Sequence, residues 1–119
     1  MFARIVTTLS VVLAVAACAS FPPPTNTMAG SLAAVRGAEE IGAANVPQAA
    51  LQLQLAQEEI ARANKLLADG LNERAHYMAL RATNDAELAI VLTREHAARN
   101  QAVNAEKAVD AVKTPEATP

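Results

Sequence analysis

The sequence predicts an all-α protein: an antiparallel helical hairpin with a short preceding helix and one long C-terminal helix. Alanine supplies 29 of the 119 residues, and it is the strongest helix former and lets two helices approach closely. The chain has no tryptophan, and Tyr77 is the one aromatic residue after Phe21, so the core must be thin. Neither glycine nor proline occurs in residues 71–113, which predicts a long unbroken helix there.

The chain opens with a short basic stretch containing Arg4, followed by an apolar run over residues 5–17. A helix needs about 20 apolar residues to cross a bilayer, so this run is too short to span one. Its length and its flanks are typical of the apolar part of a secretory signal. The sequence therefore predicts that residues 1–17 are a signal peptide.

Cys18 is the only cysteine, and it directly follows Val15-Ala16-Ala17. These small residues before a cysteine resemble the lipobox of bacterial lipoproteins. The resemblance implies that Cys18 carries a covalent diacylglycerol and an N-acyl lipid such as palmitate, since several chains anchor a protein stably where one does not. By the same resemblance, to lipoproteins of bacteria with two membranes, Ala19 stands where an aspartate is associated with inner-membrane retention, which implies the outer membrane, facing the periplasm.

Cys18 could also be a cysteine without lipid, in one of two ways. An ordinary secretory signal cut after small residues would leave Cys18 as an unpaired thiol in an oxidising compartment, which is hazardous. A buried structural cysteine would require the signal to be a folded helix. A catalytic role is disfavoured, because no base lies near Cys18 in the sequence.

The predicted domain organisation after the signal has three parts. Residues 18–30, with three consecutive prolines, are a lipidated cysteine and proline-rich tether. Residues 31–113 form the alanine-rich helical domain, and residues 114–119 a disordered tail. Ser31 is the predicted N-cap of a first helix that ends near residue 44, with Leu32, Val35 and Ile41 on one face.

The second and third helices are predicted from breakers and from apolar spacing. Pro47 suits the first position of a helix, and Asp69-Gly70 ends it. Asn72 is the predicted N-cap of the third helix. Apolar residues recur at alternating spacings of three and four, which indicates one buried face on each helix: Leu53, Ala56, Ile60, Ala63 and Leu67 on the second, and Ala75, Ala79, Ala82, Ala86 and Ala89 on the third.

The two helices of the hairpin differ in length. At 1.5 Å per residue the second helix spans roughly 33 Å and the third roughly 60 Å, so about half of the third is covered. The polar stretch of residues 93–101 marks the expected end of coverage, and it could also be a break in the helix. The remainder either is solvated or contacts a partner helix, in a second copy or in another envelope protein, through Ala98, Ala102, Ala105, Val109 and Val112.

Nothing in the sequence predicts an enzyme, a metal site or a cofactor other than the lipid on Cys18. His76 and His96 are too far apart on one helix to share a site, and Glu73-x-x-His76 has no second copy. Asp85, near the predicted buried face, could be solvated, pair with Arg81 or be functional. Without residues 1–17 the chain has 9 basic and 12 acidic residues, a net charge of −3, which argues against nucleic-acid binding. No small-molecule substrate is indicated.

Two family resemblances concern the hairpin. Residues 50–89, from "ALQLQLAQEEIARANKLL" to "NDAELA", resemble the bacterial lipoprotein family known as domain of unknown function 4398 (DUF4398). This resemblance implies an alanine-rich hairpin and offers no catalytic residues. The segment "LADGLNERAHYMALRA" resembles the middle of a tetratricopeptide repeat, with Gly70, Ala75 and Ala82 where that motif keeps small residues. Tyr77 and Met78 are predicted to pack the hairpin. A repeat array needs several units about 34 residues apart, and no second copy is present.

The sequence therefore predicts a periplasm-facing outer-membrane lipoprotein that acts as a non-enzymatic structural or protein-interaction module of the cell envelope. The alternative is an accessory or ligand-binding subunit of an envelope complex, built on a tetratricopeptide-like hairpin.

Overall fold

The computed structural model describes residues 20–113, which form three α-helices and no β-strand. Helix α1 spans Thr25–Glu40, α2 spans Pro47–Ala68 and α3 spans Asn72–Lys113. A short 3-10 turn at Ala43–Asn45 joins α1 to α2. The predicted all-α class and the long C-terminal helix are confirmed.

The three helices run up, down and up. Short connections make α2 antiparallel to both of its neighbours, and α2 and α3 form the predicted hairpin. Helix α1 packs mainly against α3 and runs parallel to it. Near the start of both helices Asn72 contacts Phe21, and near the end of α1 a Cβ on Gly37 would lie 3.7 Å from Ile90.

The first helix starts at Thr25, so the prediction that Ser31 is its N-cap is wrong. The carbonyls of Pro23 and Pro24 accept hydrogen bonds from the amides of Thr25 and Met28, both at 2.9 Å. Ser31 is buried within the helix and donates to the carbonyl of Met28 at 2.9 Å. Residues 25–30, predicted to be tether, are therefore helical, because their contacts with α3 outweigh their weak helix propensity.

The buried face of α1 also differs from the prediction. It consists of Met28, Ser31, Val35 and Ala38, a spacing of three, four and three residues. The sequence predicts Leu32 and Ile41 on that face, but these side chains are 39% and 41% exposed.

The turn between α2 and α3 is made by Gly70, whose φ of 74° favours glycine. The amide of Gly70 donates to the carbonyl of Leu67, and that of Leu71 donates to the carbonyl of Leu66. This pair of bonds is the Schellman motif that ends a helix, so the predicted end at Asp69-Gly70 is confirmed. Asn72, however, is not the N-cap of α3 as predicted: the helix begins at Asn72 itself, and the carbonyl of Leu71 accepts the first helical hydrogen bond, from the amide of Ala75.

The core is a thin layer of alanines. The predicted faces of α2 and α3 are confirmed except at Leu67, which is only partly buried. All five alanines of the α3 face are fully buried: Ala75, Ala79, Ala82, Ala86 and Ala89. Met78 packs against this core, whereas Tyr77, also predicted to pack the hairpin, is 58% exposed.

Helix α3 continues beyond the other two helices without a break. Thr93 is its last buried residue, and its hydroxyl donates to the carbonyl of Ala89 at 2.8 Å. Every residue from 94 to 113 is exposed and helical. The expected end of coverage is therefore confirmed, and the alternative of a helix break at residues 93–101 is wrong.

Candidate functional site

The clearest candidate for a functional surface is the part of α3 that no other helix covers. We call residues 94–113 the distal segment. It is 20 residues long, or about 30 Å. All of the partner-contact residues predicted from the sequence lie on it and are exposed: Ala98, Ala102, Ala105, Val109 and Val112.

These residues share one face with two larger apolar residues nearer the bundle. Leu88 and Val91 are 43% and 57% exposed, and they continue the same spacing of three and four residues, interrupted by Glu95. We call the whole set the outer stripe: Leu88, Val91, Ala98, Ala102, Ala105, Val109 and Val112. The sequence prediction omits Leu88 and Val91 from this contact face, although their spacing places them on it.

The outer stripe points away from the bundle. At 100° per residue, its mean direction is rotated by roughly 150° from the inward face that includes Ala75 and Thr93. A helix bound to the outer stripe would therefore not compete with α1 or α2 for their positions. The stripe is accessible along its full length.

A second feature lies at the opposite end of α3, where the chain before α1 contacts its first turns. The ring of His76 lies 5.4 Å from that of Phe21 and 5.4 Å from that of Tyr77, measured between centroids. Its Nδ1 is 3.0 Å from the hydroxyl of Thr27. Together with the bond from Asn72 to the carbonyl of Phe21, these contacts fix the start of the described chain to the start of α3. His76 is therefore a packing residue.

The one buried acidic side chain among residues 20–113 is Glu59 of α2. One of its oxygens lies 2.8 Å from the Arg81 guanidinium of α3, and the other, Oε2, is buried without a hydrogen-bond partner. Burial, reinforced by the nearby carboxylate of Asp85, raises the pKa of Glu59, although Arg81 acts in the opposite direction. The buried face predicted for α2 does not include Glu59, although its spacing of three from Ala56 could have indicated that face.

This arrangement predicts an unusual pH dependence of stability. Because the pKa of Glu59 is higher in the folded state, its protonation favours folding. This contribution to the free energy of unfolding is fully present below about pH 4.5 and is lost as the pH rises through the raised pKa. Glu59→Gln should remove that loss and stabilise the protein at pH 7 by up to about 1 kcal/mol, since a neutral amide costs less to bury. Urea unfolding of both proteins between pH 4 and pH 8 measures the difference.

The matched control for this variant is Glu58→Gln. Glu58 is the exposed neighbour that pairs with Arg62 at 3.6 Å, and an exposed pair contributes only about 0.3–0.5 kcal/mol. Glu58→Gln should retain the pH dependence of the parent protein. Equal pH dependence in Glu59→Gln and the parent protein would contradict the role assigned to Glu59.

A shallow groove lies where α3 leaves the bundle. Its walls include Val46, Pro47 and Gln48 on one side and Leu92 and His96 on the other, and its volume is about 310 Å³. This is at the lower end of the range for small-molecule sites, roughly 300–1,000 Å³. Glu95 and Arg99 also line the groove, and the guanidinium of Arg99 donates to the carboxylate of Glu95.

Residues 20–113 contain no group of three or more side chains placed to hold a metal ion. No helix in the same range is long and apolar enough to span a membrane. Cys18 lies outside the described residues, so its predicted acylation stays a prediction.

The fold and its surface define a class of small all-α proteins in which a helical hairpin, supported by a third helix, presents one long projecting helix. The chain belongs to the family described as a domain of unknown function (DUF4398), whose model matches residues 26–105. The match begins within α1 and ends within the distal segment, so it includes all of α2 and most of α1 and α3. No curated protein and no solved structure matches the chain.

Proposed function

We propose that this protein is an outer-membrane lipoprotein, anchored through Cys18 and facing the periplasm, that acts as a non-enzymatic protein-interaction module of the cell envelope. The observation that carries the proposed activity is the distal segment, 20 residues of α3 that are exposed on all sides. A single helix in water gains no stability from tertiary packing. A bound partner would supply that packing.

The proposed location rests on the sequence of the first 19 residues. An apolar run too short to cross a membrane ends in small residues before Cys18, and Ala19 follows. A protein attached by acyl chains needs no spanning helix, and two or three chains give stable attachment.

The geometry of the bundle supports a role in which the protein contacts a partner at a distance from its anchor. Phe21 is only three residues after Cys18, at most about 11 Å of chain, and it is held against the first turn of α3. The anchor and the start of α3 are therefore close together. Since α3 has 42 residues and extends about 63 Å, its far end can lie that distance from the anchor.

Chemical cross-linking in living cells, followed by affinity purification of the tagged full chain, tests the proposal. We expect the chain to be captured with a specific protein partner through the outer stripe. The variant Ala102→Glu/Ala105→Glu should reduce that capture at least tenfold, because it places two charges in the centre of an apolar contact.

The control carries the same charge change on another face of the same segment. Asn100→Glu/Asn104→Glu alters two exposed residues that lie away from the outer stripe and should leave capture within about twofold of the parent chain. Equal capture by the two variants would contradict the assignment of the outer stripe. Failure to capture any partner would contradict the proposed activity as a whole.

The alternative function, an accessory or ligand-binding subunit of an envelope complex, is favoured by the groove beside Val46 and His96. A partner held there would contact the face of α3 beside the outer stripe, where Leu92, His96 and Arg99 line the groove. Its capture would be unaffected by Ala102→Glu/Ala105→Glu and reduced by a bulky change at the groove, such as Gln48→Trp.

A further inference from the structure

We propose that the partner of the distal segment is a second copy of this chain, bound antiparallel so that the two outer stripes face each other. This inference rests on the proposed function, because it names the partner of the same surface. Three observations carry it: the period of the stripe, the charges that flank it and the shape of the bundle.

The period of the outer stripe is that of a two-stranded coiled coil. Two seven-residue series alternate along it at spacings of three and four: Leu88, Glu95, Ala102 and Val109 form one, and Val91, Ala98, Ala105 and Val112 form the other. Glu95 is the only polar member. Because alanine dominates the centre, two such helices can approach closely.

In an antiparallel pair each residue of one series faces a residue of the other series in the second copy. The register that brings the two distal segments fully together pairs Ala98 with Val109 of the second copy, and Ala102 with Ala105. Its centre lies between residues 103 and 104. Glu95, facing Val112, then lies at the edge of the contact, where its carboxylate remains in water.

The charges beside the stripe decide the direction of the two helices. In the antiparallel register Arg99 of each copy lies beside Glu106 of the other, which gives two symmetric ion pairs. Within one copy Arg99 already pairs with Glu95, and its guanidinium has enough N–H donors to bind both carboxylates. In a parallel pair Arg94 would instead lie beside Arg99 of the second copy, and no attractive pair of charges would form across the contact. Opposite charges at these flanking positions set the orientation of coiled coils.

The shape of the bundle is compatible with this arrangement. Thr93 is the last residue of α3 that α1 and α2 bury, and the outer stripe points away from both helices. In the antiparallel register the partner segment ends near the level of Glu95, so each bundle lies beyond the end of the other copy's helix. A contact built from alanine and valine is smaller than a standard interface of about 1,600 Å², so we expect a weak pair.

Cysteine cross-linking of the full chain in cells tests the direction and the register together. Two differently tagged copies are co-expressed, one with Ala98→Cys and the other with Val109→Cys. We expect a disulfide between the two tags, because these positions face each other and disulfides require Cβ atoms about 4 Å apart.

Ala98→Cys alone should give no disulfide dimer above the level of the parent chain. In the antiparallel register residue 98 of the second copy lies opposite residue 109 of the first. The two copies of residue 98 are therefore 11 residues of helical rise apart, or about 16 Å along the axis. A strong dimer of Ala98→Cys alone would indicate a parallel pair and overturn the proposal. Absence of the mixed disulfide would overturn it as well.

A charge exchange gives an independent measurement that needs no added cysteine. Arg99→Glu alone places two acidic pairs across the contact and should weaken association of the detergent-purified full chain, measured by sedimentation, about tenfold. Arg99→Glu/Glu106→Arg should restore it to within about twofold, since the pairs re-form with opposite polarity. Failure of the double variant to recover would overturn the proposed register.

The failure of this inference can be distinguished from failure of the proposed function. If in-cell cross-linking captures only a different envelope protein, and does so through the outer stripe, self-pairing is overturned and the interaction module stands. Capture of the second copy supports both.

Discussion

Replacing Ala82 with leucine is expected to destabilise the bundle by about 3 kcal/mol and to lower its melting temperature by roughly 15 °C. Ala82 is fully buried against the neighbouring helices, as are Ala79 and Ala86 on the same face. Three additional carbon atoms can fit there only if the helices move apart, which would also loosen the neighbouring alanine contacts. Thermal unfolding followed by circular dichroism at 222 nm measures the change.

The matched control is Ala97→Leu, on the same helix but beyond the bundle. Ala97 is exposed and lies outside the outer stripe, so the added side chain meets no neighbour. Its effect should remain within about 0.5 kcal/mol. Similar effects of the two substitutions would contradict the close alanine packing of the hairpin.

Cys18→Ala is expected to abolish lipid attachment and to move the protein from the membrane fraction to the soluble fraction. Each buried methylene contributes about 0.8 kcal/mol to membrane binding, so removing all of the acyl chains removes the entire anchor. Metabolic labelling with palmitate and fractionation of cell extracts measure both effects.

Ser20→Ala is the control for this substitution, since it changes an exposed neighbour and leaves the cysteine in place. It should be labelled and fractionate as the parent chain does. Labelling of Cys18→Ala equal to that of the parent chain would rule out acylation at this position. Mass spectrometry of the parent protein with an intact Met1 would rule out processing of the signal.

The hairpin could be predicted from the sequence because its determinants are local. Pro47 and Gly70 delimit α2, and the alternating spacing of small residues fixes the inward faces of both helices. The start of α1 could not be predicted in the same way. Residues 25–30 are helical because Thr27 and Met28 contact the rest of the bundle, and such tertiary contacts override local propensity.

The outer stripe was partly predictable, because exposed residues at regular spacing share one face whatever surrounds them. The burial of Glu59 was not predicted, since an acidic residue next to Glu58 is ordinarily solvated. Its burial depends on Arg81 and Asp85 of the neighbouring helix, and these contacts arise only when α2 and α3 are in register. Pairs across two helices require the three-dimensional arrangement.

The continuity of α3 has a mechanical consequence. One uninterrupted backbone runs from Asn72 to Lys113, and its first turn holds Phe21, three residues from the proposed anchor. Tension applied at the far tip would therefore pass along one continuous helix to its contacts with Phe21, close to the proposed anchor.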